Sequence, residues 1–131
     1  MAVELLVFMK TFEASGDLST KQYFFMKQDT TFNRVTTCTA ATDVPIGVLQ
    51  NKPDAAGKAA EVMIVGLTKV SADAALTIGN LIGTSADGQA DAKTVGTDTT
   101  EYVVGRVYEA ATAAADLVGA FINCCNPHRA A

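Results

Sequence analysis

A chain of 131 residues makes one domain and buries roughly two thirds of the surface its unfolded form exposes, so it holds together without metal or disulfide. Hydrophobic residues are 49 % and charged residues 18 %, which excludes a disordered composition. The net charge is -4 and the basic residues are scattered from Lys10 to Arg129, which excludes a nucleic-acid face and an anionic membrane surface as partners.

The first stretch, "AVELLVFMKTF" (2–12), is the most apolar in the chain. As a strand it puts Val3, Leu5, Val7 and Met9 on one face; as a helix it aligns Leu5, Phe8, Met9 and Phe12. Residues 1–16 are therefore either the first strand of the molecule's own barrel or an arm that packs on a neighbour. It carries neither a cationic leader nor a long apolar core, and no part of the chain is long enough to span a bilayer as a helix. These features give the expectation of a protein assembled in a cytoplasm.

Residues 17–125 read as the β-rich body. "QYFFMK" (22–27) and "FNRVTTC" (32–38) are rich in aromatic and β-branched residues and flank the polar "QDTT", so they predict a hairpin. "IGVLQ" (46–50) follows Pro45, which lacks a donor for a ladder, and is expected at a sheet edge. "EVMIVGLTKV" (61–70) is the strongest strand, apolar on both faces in its first half, with Gly66 as a bend or bulge. A second hairpin is predicted over 80–94, turning at Ala86-Asp87-Gly88. "EYVVGRVYE" (101–109) and "DLVGAFINC" (116–124) form a third pair, joined by "AATAAA", which by propensity makes a helical turn or two. About seven short strands with Gly and Asp punctuation predict an all-β fold, a compact sandwich or barrel. A faint echo is present: Ile46-Gly47-Val48-Leu49 precedes one long strand and Val104-Gly105-Arg106-Val107 precedes another, suggesting two similar strand pairs. Residues 126–131 are left as a tail.

Chemistry is sparse. The loop between residues 50 and 61 holds Gly57-Lys58, yet a phosphate-binding loop needs a glycine where Lys52 stands and a hydroxyl where Ala59 stands. Lys27 ends a strand rather than standing on a hairpin tip, unlike a carrier lysine. His128, the one histidine, lies near the frayed C-terminus beside Cys124 and Cys125, without the spacing of a zinc site or a nucleophile's partner acid. With Cys38 these thiols are expected to be reduced and buried. The aromatics, Phe32 and Phe121 included, are expected in the core. No catalytic residue, cofactor or metal is assigned. Two other readings stay open: a small ligand-binding barrel of cytoplasmic origin with a cavity lined by Phe24, Met63 and Phe121, and a hydrolase built on a carboxylate pair.

"DLSTKQYFFMK", "DVPIGVLQNKP", "AAEVMIVGLTKV", "IGNLIGTSADGQA" and "YVVGRVYEAA", in this order, resemble the capsid cement, or head decoration, proteins of tailed bacteriophages, over about residues 17–122. The resemblance implies a non-enzymatic β-rich virion protein, often a trimer, on the outer surface of an assembled head. Its partner would be the major capsid protein, and it would bridge capsid subunits with no small-molecule substrate. The loop of 51–58 then simply joins two strands of the body. On this reading Leu5, Leu6, Phe8, Met9 and Phe12 are the expected contacts with the capsid or a sister copy.

Overall fold

The computed structural model describes the backbone of residues 5–131 and the side chains of residues 7–131; the first four residues, and the side chains of Leu5 and Leu6, lie outside that range. The described chain is all-β: eleven strands and no helix. They are β1 (Leu5–Ala14), β2 (Phe25–Gln28), β3 (Arg34–Thr37), β4 (Gly47–Leu49), β5 (Ala59–Ser71), β6 (Leu81–Thr84), β7 (Ala90–Ala92), β8 (Tyr102–Val103), β9 (Gly105–Val107), β10 (Leu117–Asn123) and β11 (His128–Arg129). Nine form one sheet in the order β1-β3-β2-β4-β5-β10-β9-β6-β7, and β8 pairs with β11 apart from it.

β1 also pairs with β5, so β1-β3-β2-β4-β5 returns on itself as a five-membered ring. The rest of the sheet repeats this plan. Glu13 pairs with Ala59 between β1 and β5; Ser71 pairs with Leu117 between β5 and β10, each residue 58 further along. Val48↔Met63 becomes Arg106↔Phe121, again 58 on. Phe25↔Val48 becomes Leu81↔Arg106, and Gln28↔Val35 becomes Thr84↔Ala90. The parallel step Ala14↔Val35 that closes the first ring returns as the parallel bridge Ala72↔Ala90. Turn conformations repeat as well: Tyr23, Asn33 and Gly57 have positive φ, and so do Gly79, Gly88 and Ala115 at the corresponding places. The protein is a tandem of two five-stranded, barrel-like modules that share the long strand β5.

Each ring buries one face of its strands. In the first, Ala14, Val35, Met26, Leu49 and Val62 share a face by register and are fully buried; in the second, Ala72, Ala90, Ile82, Val107 and Ala120 do the same. The glycines of the echo explain themselves here. A Cβ on Gly47 would stand 2.5 Å from the Met63 carbonyl oxygen, and one on Gly105 would stand 2.4 Å from that of Phe121. Both short strands lie too close to their long partner for any side chain.

Several expectations change. Residues 5–14 form the first strand of the molecule's own sheet. β4 is central, flanked by β2 and β5, and Pro45 is tolerated because it stands before the ladder begins. Residues 101–109 divide at Val104: β8 turns away to meet β11, and β9 joins β10. "AATAAA" makes a turn instead of a helix, because Asp116 accepts from the Thr112 and Ala113 N–H groups and ties the segment back. The tail is held, with Ala130 buried and donating its N–H to the Glu101 carbonyl at 2.9 Å. Gly66 does sit at an irregularity: β1 gains a residue opposite it, and Val7 is pushed out to the surface.

Candidate assembly surface

The 51–58 loop is tied into the fold. In the 51–58 loop, Asn51 accepts from the Glu61 N–H and donates to the Ala59 carbonyl, both at 2.9 Å, clamping the loop's two ends. Buried Pro53 accepts from the Leu18 N–H, Gly57 donates to the Ala14 carbonyl, and Lys58 pairs with Asp54 at 2.7 Å in solvent.

Lys27 lies in β2 and pairs with Asp43 at 2.9 Å. Burial works against the Asp43 carboxylate, but the Lys27 ammonium and the Thr39 and Ala40 N–H groups outweigh it and hold the carboxyl below its ordinary range. His128 is exposed in β11. Cys38 and Cys124 are buried and reduced, as expected, whereas Cys125 is exposed. Desolvation pushes the Cys38 thiol up to about 12 and that of Cys124 higher still, so neither is a nucleophile near neutrality.

Carboxylates gather in one region. Lys93 is buried, donates to the Thr84 carbonyl at 2.8 Å, and pairs with Asp91 at 3.3 Å and with Glu101. Asp73 nearby is raised by burial and by the charges of Asp87 and Asp91. The lysine offsets part of the group's charge and ties β7 to the segment before β8. Among the described residues no set of His, Cys, Asp and Glu could hold a metal ion.

Phe24, Met63 and Phe121 line no common cavity: Met63 is buried, Phe24 packs against the core, and Phe121 is on the surface. A different cleft, of about 460 Å³, opens beside the β2–β3 tip, with Phe12, Phe32, Ile46 and Ile64 as its apolar lining and Lys10 and Arg34 as its cations. The Arg34 Nε is buried there without a partner.

What the surface offers is apolar area. Phe32 is 94 % exposed at the β2–β3 tip, and Phe121 and Tyr108 stand half-exposed with their rings edge to face at 5.2 Å. The expectation that these aromatics belong to the core is therefore corrected: Phe32 falls in the turn, and Phe121 and Tyr108 face outward from the second module. Of the expected contact residues, Phe12 is buried in the core and Met9 is half-buried against it, while Phe8 is exposed. The backbones of Leu5 and Leu6 pair with Leu67 and Gly66, and their side chains are outside the described range. The residue types do not reveal the exposure: Phe32 stands just outside the strand its β-forming neighbours suggest, and an aromatic in a strand, such as Phe121, reads the same whether the register turns it in or out.

The fold class is an all-β tandem of two barrel-like modules sharing one strand, with several large apolar side chains exposed on its surface. Among solved structures it is similar to the head fiber gp8.5 N base of bacteriophage phi29, with a TM-score of 0.63 and 20 % sequence identity, over 89 % of this chain and 94 % of that one. No protein-family model and no curated protein sequence matches the chain.

Proposed function

We propose that this protein is a structural component of a tailed-phage virion that binds the outside of the assembled head, as a trimer, and stabilises it by bridging major capsid subunits. The observation that carries the reading is the likeness of the whole fold to a phage head fiber base. The sequence resemblance to cement proteins and the exposed Phe8, Phe32 and Phe121 support it. The mechanism is additive and needs no catalysis: a protein that binds only the assembled shell stabilises that shell by mass action, copy by copy. Val7 and Phe8, beside Leu5 and Leu6 in sequence, are the exposed apolar side chains of the described N-terminal segment available for such a contact.

The test is to prepare heads with and without this protein and measure the temperature at which packaged DNA is released. Release at a lower temperature from stripped heads, restored by adding the protein back, is expected. Equal release temperatures would refute the clamp, and failure to co-sediment with heads would refute the attachment itself.

A further inference from the structure

The two modules bury corresponding surfaces unequally. On the outer face of the first, Phe25, Val48 and Met63 form a row across β2, β4 and β5, and all three are buried. The second module covers the end of that row. Its β6–β7 tip reaches Phe25, whose N–H donates to the Gly88 carbonyl at 2.7 Å, and a Cβ on Gly88 would stand 2.6 Å from Thr37 Cγ2. Beside it the Ser71 N–H donates to the Tyr23 carbonyl and the Gln50 amide to the Thr68 hydroxyl.

The corresponding row of the second module is Leu81, Arg106 and Phe121. Among the described residues no tip covers it as the β6–β7 tip covers the first row: Phe121 is 47 % exposed where its counterpart Met63 is 2 % exposed, and Arg106 is exposed where Val48 is fully buried. The element that would cover it is a tip of the β6–β7 kind. The first module owns the counterpart, the β2–β3 tip, and it is unoccupied in the other sense: Phe32 at its end is 94 % exposed. Asp29 on the tip and Arg106 on the face are of opposite charge.

We infer that copies of this chain join head to tail, the β2–β3 tip of one, led by Phe32, seating on the Leu81–Arg106–Phe121 face of the next, a tip-on-face contact of the same general kind as the one between modules within a chain. Tip and face are different surfaces, so the interface is heterologous; repeated by a closing rotation it makes a ring, and without closure a filament. The inference stands apart from particle binding. A protein that assembles in solution but never attaches to heads keeps it and loses the functional reading; one that attaches only as a monomer loses it, together with the trimer, and keeps head attachment.

The experiment uses the full chain in sedimentation velocity and light scattering up to about 100 µM, above which weak natural contacts lose meaning. The wild type is expected to form oligomers, and Phe32→Asp or Phe121→Asp alone to weaken them at least about tenfold, as loss of a buried aromatic anchor does. Mixing the two variants is decisive. The intact tip of the Phe121→Asp copy meets the intact face of the Phe32→Asp copy, so dimers form and nothing larger. A monomeric wild type, a Phe32→Asp protein that assembles normally, or a mixture without dimers would each overturn the inference. Thermal melting checks that both variants are folded; should Phe121→Asp unfold, Arg106→Glu replaces it on the same face with the same expected outcomes.

Discussion

Replacing Gly105 by alanine tests the repeat where it is most constrained. The added Cβ would lie 2.4 Å from the Phe121 carbonyl oxygen and 3.2 Å from Ile122 Cγ2, about 1 Å inside ordinary contact with a backbone atom that cannot rotate away. β9 must therefore lift from β10, straining the bonds that Val104 and Val107 N–H groups make to the Ile82 and Asn80 carbonyls, each 2.9 Å. Forcing one methyl into such packing costs about 2–3 kcal/mol, at the upper end because the obstacle is main chain. For a domain of this size that lowers the melting temperature by about 6–15 °C. Gly47→Ala should cost a similar amount, since its Cβ would meet the Met63 carbonyl at 2.5 Å and Val62 Cγ1 at 2.4 Å. Gly16→Ala, with nothing within 4 Å of the new Cβ, is the control and should stay within about 0.5 kcal/mol of wild type. Urea unfolding of the three variants, followed by circular dichroism, gives the differences. If Gly47→Ala or Gly105→Ala unfolds at the wild-type midpoint, the short strands do not lie against their long partners as described, and the two-module register is wrong.

Ala115 holds the positive-φ place that Gly57 holds in the first module, so Ala115→Gly should stabilise by about 0.5–1 kcal/mol, backbone relief exceeding the extra unfolded-state entropy; a loss of stability would count against that turn. Asp43→Ala should cost about 1–2 kcal/mol at pH 7. Because the folded Asp43 carboxyl lies below its ordinary value of 3.8, its stabilisation is present above that pH and lost as the pH falls through the folded value, so wild-type and variant stabilities should converge in acid; a constant gap would refute the assignment. Under native conditions at pH 8 a thiol reagent should titrate one cysteine rapidly, Cys125, and all three after denaturation; rapid reaction of two would show that Cys38 or Cys124 is not sealed.

Much of the fold was legible because its local signals agree with its contacts. β2 with β3 was readable as a hairpin from β-branched and aromatic runs around a polar turn, and β6 with β7 from the Ala86-Asp87-Gly88 turn. β1 was ambiguous for a physical reason: "LLVFMK" satisfies strand and helix periods alike, and only the eight paired positions against β5 decide it. Propensity failed at 110–115, where alanines favour a helix but one carboxylate, Asp116, binds the turn's amides. The repeat was audible only at Gly47 and Gly105, since these are places where no other residue fits. Elsewhere counterparts differ in kind, Val48 with Arg106 and Met63 with Phe121, because one member of each pair is covered and the other is not.

That divergence bears on how a tandem protein avoids uncontrolled growth. Two identical modules would each carry the same tip and the same face, and every tip would fit every face, within a chain or between chains. Here the internal joint is made specific by small, buried partners: Gly88 allows backbone to approach Phe25, and Thr37 packs where a larger side chain would collide. The outward tip carries Phe32 and the outward face carries Arg106 and Phe121, a larger and partly charged pair that the internal joint could not admit. Discrimination of this kind comes from what each surface excludes as much as from what it binds. The internal joint and the outward surfaces therefore differ in shape and charge, so a tip fitted to one is not fitted to the other.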